Sequence, residues 1–341
     1  MRIQQLRERL RALGAKPCHE ARVLRAWLQA KPLDSGRVAA GDFLPGPLRA
    51  DLSALTVNLA DLARLGSAHP GADGSSRLLV RLNDGQTVES VLLLREGLCV
   101  SSQVGCAVGC TFCMTGRDGL LRQLSSGEIV AQVVLGRSLR PVRKVVFMGM
   151  GEPAHNLENV LEAIELLGTL GNIGHKNLVF STVGDARVFE RLPLGTVKPA
   201  LAISLHSSRA DVRAQLLPKA PCIDPAELVA QADAYGRATG YPIQYQWTLI
   251  EGVNDTKEEV GGLVRLLKGR YGLMNFIPYN ETESTGLPGA IAFRRPAQQR
   301  IAEIAQQLNE HGILTKLRQS AGQDVEGGCG QLRARSIAPS R

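Results

Sequence analysis

The sequence predicts an α/β protein whose core is a partial, open barrel of six β/α units, preceded by a helical unit and a β-hairpin connector. Three observations carry this. From about Leu98, short apolar runs end in glycine, serine, asparagine or a charged residue, and a helical pattern follows each. The runs are LCVSS, KVVFMGMGEP, NLVFSTVG, PALAISLHSS, PIQYQWTLIEGVND and MNFIPYNE, fewer than the eight of a closed barrel. Strands alternating with helices imply parallel strands joined by right-handed crossovers.

Residues 1–75 read as a helical accessory domain. Ile3, Leu6, Leu10 and Leu13 form one apolar stripe, and the unit ends at the turn-rich HPGADGSS. The start has neither a continuous apolar run nor a small-residue cleavage pattern, so it is not a secretory signal, and no window is apolar enough to span a membrane. Residues 76–97 form a hairpin connector, two β-rich runs flanking Asn83-Asp84-Gly85. Residues 98–320 are the barrel. Its helices carry start signals: Ser125 with Glu128, Asp224 with Pro225 and Glu227, and Thr256 with Glu259. Leu157, Val160, Leu161, Ile164 and Leu167 give the stripe of a helix packed on a sheet. Residues 321–341 are a C-terminal tail. In such folds chemistry gathers at the C-terminal ends of the strands. Gly149, Gly151, Glu152, Ser181, Ser204, His206, Asn254 and Asn280 should therefore face one cavity.

The net charge is +8, with acid-free patches at RSLRPVRK (Arg137, Arg140, Arg143, Lys144) and QLRARSIAPSR, which points to a polyanionic partner such as nucleic acid. Seven cysteines, an odd number concentrated in one region, argue against a disulfide scaffold and for a reducing cytoplasmic setting with metal-binding or catalytic thiols. Cys106, Cys110 and Cys113 are spaced C-x3-C-x2-C. Three thiolates on one loop suit an iron–sulfur cluster that normally takes four, leaving one iron open to a ligand. The alternative is structural zinc with a distant fourth ligand, His206 or Cys222. Cys18 and Cys222 read as structural.

With Phe112 just before the last cysteine, the motif resembles that of radical S-adenosylmethionine enzymes. LCVSSQVGC, GCTFCMTG, FMGMGEP, LAISLHSS, LIEGVND, FIPYN and GQDVEGGCGQL follow in order, and together they resemble the RlmN/Cfr family of RNA adenine methyltransferases over about two-thirds of the chain. The resemblance implies a radical-SAM barrel in which Cys106, Cys110 and Cys113 hold a [4Fe-4S] cluster. It implies that Gly151, Glu152, Ser181, Ser204, Leu205, His206 and Asn280 contact S-adenosylmethionine, two molecules of which are used per turnover. It further implies that Cys329 becomes a methylcysteine intermediate, that Cys99 resolves the enzyme–RNA adduct through a transient disulfide with Cys329, and that Glu89 is the proton acceptor. The expected product is an adenine methylated on a ring carbon, carbon 2 favoured, in ribosomal RNA, transfer RNA or both. The expected electron donor is a flavodoxin-type reductant, and the protein is expected to be a cytoplasmic monomer. The competing readings are a radical enzyme of another class acting on a non-RNA substrate, and a non-enzymatic metal-bearing RNA-binding protein.

Overall fold

The computed structural model describes residues 1–280 and 293–334. Glu281, which ends the sixth apolar run, and residues 335–341 of the basic tail lie outside the described residues.

One ten-stranded sheet organises the molecule. Its strands in this sheet are β1 (Arg64–Pro70), β2 (Ser76–Arg81), β3 (Thr87–Leu93), β4 (Gly97–Cys99), β7 (Lys144–Phe147), β8 (Leu178–Thr182), β9 (Ala200–Ser204), β10 (Ile243–Leu249), β11 (Gly272–Pro278) and β12 (Thr315–Leu317), neighbours in that order. A separate ribbon pairs β5 (Gln103–Gly105) with β6 (Leu120–Gln123). β1 to β4 are antiparallel, and every pairing from β4 to β12 is parallel.

All six expected strands are present. β12 adds a short seventh parallel strand after the helix Gln298–Glu310. Its residues are largely exposed, with Leu317 47% accessible, so it carries no apolar run to announce it. The N-terminal helices end at Ala60, and β1 occupies ground read from sequence as helical. RLGSAHP is half-exposed edge backbone held by pairing with β2, a tertiary contact invisible to periodicity. The hairpin turns at Gly85, whose φ of +84° suits glycine. It is no separate connector: β3 pairs with β4, Val91 opposite Cys99, so the antiparallel strands continue the barrel sheet.

Paired residues on adjacent strands share a face, and this sorts the barrel's two surfaces. Leu178, Phe180, Leu201, Ile203, Tyr245, Trp247 and Phe276 are wholly buried in a core shared with the helices Leu157–Thr169 and Pro225–Thr239. The alternate residues are small or polar. Ser181, Ala202 and Gln244 form one row, and Ser204, Gln246, Asn275 and Lys316 form the next. An apolar outside under helices and a polar inside is what a reaction chamber requires. The predicted helix starts also hold. Ser125 and Glu128 close a capping box, Asp224 accepts from the Ala226 amide, and Thr256 accepts from Glu259. Among the described residues no helix is long and apolar enough to cross a membrane.

Candidate active site

The C-terminal strand ends surround a cavity with about 930 Å³ of empty space, its open mouth included. Gly149, Gly151, Glu152, Ser181, Ser204, His206 and Asn280 all line it, together with Cys106, Cys110, Cys113 and Cys329. Two expected residues do not. Asn254 instead donates to the carbonyls of His206 and Thr248 and accepts from the Ile250 amide, bracing the loop beside the site. Leu205 is wholly buried in the apolar core, and its amide donates to the Gln246 carbonyl; strand alternation turns its side chain away from the cavity.

The three motif cysteines lie on the loop between β5 and β6, and all are free thiols. Burial pushes Cys106 up to about 12, and Cys110 rises through burial and its two neighbours. Thiolates crowded into an apolar wall of Val108, Phe112 and Tyr279 need a positive centre to balance them. An iron–sulfur cluster fits this all-sulfur donor set. Among the described residues no three His, Cys, Asp or Glu side chains converge on a single-ion site. Neither zinc partner considered from sequence serves: Cys222 is exposed, and His206 Nδ1 already accepts from the Thr248 amide at 2.9 Å. Cys18 and Cys222 are both exposed rather than core residues.

Glu152 follows Gly151, whose φ of +100° and contact with Gln103 leave no room for a side chain: an added Cβ would sit 2.5 Å from Gln103 Cβ. Glu152 is buried and accepts from the amides of Ala154 and Val183, both at 3.0 Å. Burial still pushes its carboxyl up to about 7. His206 stands at a left-handed φ of +59°, and burial, with Arg213 nearby, lowers it to about 3. It is therefore neutral. Because Nδ1 accepts from a backbone amide, Nε2 carries the proton and is the donor available to a ligand. Phe112 packs edge-on against its ring at 4.9 Å.

The tail is stitched over this site. Met114 N–H donates to Gly330 O at 2.7 Å, and Thr115 Oγ1 donates to Leu332 O at 2.7 Å, tying the tail to the cluster loop. On the opposite side Asn280 Nδ2 donates to Cys329 O and to Ser320 Oγ, both at 2.9 Å, and Asn280 Oδ1 accepts from Gln323 at 2.5 Å. Asn280 is thus a tail clamp as well as a cavity residue. Gly330, at φ +85°, allows the close approach to Phe112.

Cys329 and Cys99, distant in sequence, lie close enough for the charge of one to act on the other. Burial, and secondly the charge of Cys329, push the Cys99 thiol up to about 12. Cys329 faces the cavity. Packing raises its pKa, while Arg318 and the Ser320 hydroxyl pull it down. Glu89 is fully buried in an ion pair with Arg77 at 2.5 Å and accepts the Arg333 amide at 2.8 Å, just past Cys329. Burial pushes its carboxyl to about 7 against the pull of Arg77. Glu89 does not line the cavity itself. Sequence reading missed Gln103, Arg213, Gln246 and Thr248. Gln246 and Thr248 could be found as inward alternates of β10; Arg213, bonded to the carbonyls of Leu205 and Ser204, carries no local signal.

An open parallel barrel with three loop cysteines beside a cavity at the strand ends defines the class, and the comparisons agree. Residues 100–264 match the model of the Radical SAM superfamily. A solved radical SAM methyltransferase from Sphaerobacter thermophilus superposes with a TM-score of 0.82 at 35% identity, covering 98% of both chains. A probable RNA methyltransferase of Azoarcus sp. (strain BH72) is 70% identical over 341 residues, all of this chain and 96% of that one. Another from Leptothrix cholodnii is 67% identical over 340 residues, 100% of this chain and 96% of that one. The chain is therefore a radical SAM enzyme. Within that superfamily it belongs to the RNA methyltransferase family of these relatives, with a [4Fe-4S] cluster and S-adenosylmethionine as its cofactors and RNA as its substrate.

Proposed function

We propose that the enzyme methylates a ring carbon of adenine, carbon 2 favoured, in ribosomal RNA, transfer RNA or both, through a methylcysteine at Cys329. The observation that carries this is that the tail is tied to the cluster loop, which holds Cys329 at the cavity wall within electrostatic reach of Cys99. An electron-poor ring carbon offers no lone pair to an ordinary methyl donor, so a protein sulfur that carries the carbon and a second thiol that releases it answer a real chemical need.

In this reading Cys106, Cys110 and Cys113 hold the cluster, and Gly151, Glu152, Ser181, Ser204, His206 and Asn280 seat S-adenosylmethionine. Leu205 contributes backbone only. Bound there, two cofactor molecules supply one methyl group and one hydrogen-abstracting radical, the electron coming from a flavodoxin-type donor. Cys329 sulfur takes the methyl group. That methyl gives one hydrogen atom to the radical, and its carbon bonds to adenine and so bridges sulfur and ring. The unpaired electron left on the ring passes back to the electron carrier as the ring proton leaves. The Cys99 thiolate attacks the Cys329 sulfur. The S–S bond forms, the S–CH2 bond breaks, and its electron pair leaves with the carbon and takes up a proton, completing the methyl group. The resemblance makes Glu89 the acceptor of the ring proton, and its pKa of about 7 suits a base at neutral pH. It lies buried against Arg77 and off the cavity, so it takes the proton through an intervening group rather than directly. An external dithiol returns two electrons and two protons to the disulfide. The enzyme acts as a monomer in the cytoplasm.

Mass spectrometry of the Cys99→Ser protein, recovered from cells under anaerobic conditions, tests this. A covalent RNA adduct at Cys329 is expected, together with loss of methyladenosine from cellular RNA. Unchanged methyladenosine in Cys99→Ser and Cys329→Ala cells refutes the scheme.

A further inference from the structure

The turn between β1 and β2, read from sequence only as a boundary, reaches across the molecule in the structure. It folds on itself: Gly71 N–H donates to Ser75 O, Gly74 N–H donates to Gly71 O, and Asp73 Oδ1 accepts from the Ser75 amide. That local work leaves Asp73 Oδ2, which accepts from the amide of Gly322 at 3.1 Å, 249 residues further along the chain. The contact is returned. Asp324 Oδ2 accepts from the amide of Ala72 at 2.8 Å. Both carboxylates crowd one point, since a Cβ added at Gly71 would stand 3.0 Å from Oδ1 of Asp73 and of Asp324. Both residues are exposed, yet each spends a charged oxygen on a distant backbone amide, the stronger kind of hydrogen bond.

This clasp is a short step from the cavity. Gly322, at a left-handed φ of +65°, turns the chain, and its carbonyl accepts from the amides of Val325 and Gly327. Gly327 is buried, and a Cβ there would touch Arg77 Cβ on β2 at 3.4 Å, so the chain lies flat on the hairpin. Just beyond it Cys329 reaches the cavity wall. Past Cys329 the hairpin takes hold again: Glu89 accepts from the Arg333 amide at 2.8 Å, and Thr87 Oγ1 donates to Ala334 O at 3.1 Å. The antiparallel strands thus grip the tail on both sides of Cys329. Fixed ends hold a reacting sulfur in place, and small misplacements of a reacting atom are costly.

We propose that Asp73 and Asp324 are positioning residues for Cys329. The β1–β2 turn is the seat of the tail, and the reciprocal pair sets where the sulfur stands. The proposal rests on the methylcysteine reading above, and neither residue lines the cavity.

The test uses the full-length protein with its cluster assembled under anaerobic conditions. Asp324→Ala removes one hydrogen bond at the clasp. The amides of Met114 and Arg333, whose own partners it leaves in place, should then exchange about fivefold faster with solvent deuterium. Gly71→Val drives a side chain between the two carboxylates and should do the same without removing a charge. Asp324→Asn keeps an acceptor oxygen for Ala72 and should stay within about twofold of wild type. In turnover, methyl groups transferred to RNA per 5′-deoxyadenosine formed should fall in the same proportion in the first two variants and hold in Asp324→Asn. Loss of both products in step marks a merely structural role and overturns the proposal. Wild-type exchange at Met114 and Arg333 in both Asp324→Ala and Gly71→Val overturns it alone. Wild-type protein whose Cys329 never carries a methyl group overturns the methylcysteine reading and the positioning role together.

Discussion

Replacing Asn280 with alanine should unlatch the tail. The Asn280 amide joins β11 to Cys329 O, Ser320 Oγ and Gln323 through three hydrogen bonds. Each is worth about 1 kcal/mol net. The Cys329 carbonyl and the Gln323 amide can rehydrate on the cavity side, so the loss is about 2–3 kcal/mol of local closure rather than a global penalty. That corresponds to roughly 30- to 150-fold more open tail. Amide hydrogen exchange reads it directly. Met114 N–H is protected by Gly330 O, and Arg333 N–H by Glu89, so both amides report tail docking without depending on turnover. They should exchange faster by that factor, while the amides of β8 and β9 keep wild-type rates. Met114 exchange within about threefold of wild type would refute the clamp, since even one lost bond should exceed it.

Three further outcomes follow from the same geometry. Gly330→Ala forces a side chain onto a φ of +85°, with its Cβ 3.0 Å from Phe112 O; it should cost about 1–2 kcal/mol, seen in the same exchange at Met114 and in urea titration. In the apoprotein the Glu152 carboxyl stands at about 7 against an ordinary 4.5, so it binds its proton more tightly folded than unfolded. Its stabilising contribution is complete below 4.5 and is lost as pH rises through 7; across that window wild type should lose about 3 kcal/mol relative to Glu152→Gln in urea unfolding, and parallel curves would contradict the assignment. Arg137→Ala removes a buried guanidinium that joins Leu28 O, Val142 O and Gly171 O, and should cost about 2–4 kcal/mol, measured as a fall in melting temperature.

What could be read without coordinates was local. The C-x3-C-x2-C spacing, the GMGEP turn, the helix caps and the hairpin glycine are each written within a few neighbouring residues, because capping, turn chemistry and loop ligation act over short stretches of chain. Strand periodicity also placed the polar strand ends around one cavity, missing only Asn254, which serves the backbone; Leu205, expected from the family resemblance, is turned outward by strand alternation.

Sequence by itself determined the barrel's rhythm, the cluster loop and the family. Only tertiary structure decided who meets whom. It set Cys329 at the cavity wall within electrostatic reach of Cys99, gave Asn280 the tail to hold, and buried Glu89 against Arg77. It scattered a basic run of four: Arg137 and Arg140 bind backbone carbonyls, Arg143 stays on the surface beside Glu96, and Lys144 begins β7. Charge and hydrogen bonding depend on distance in space. Pairing across a ten-stranded sheet sets that distance, and no local pattern encodes it.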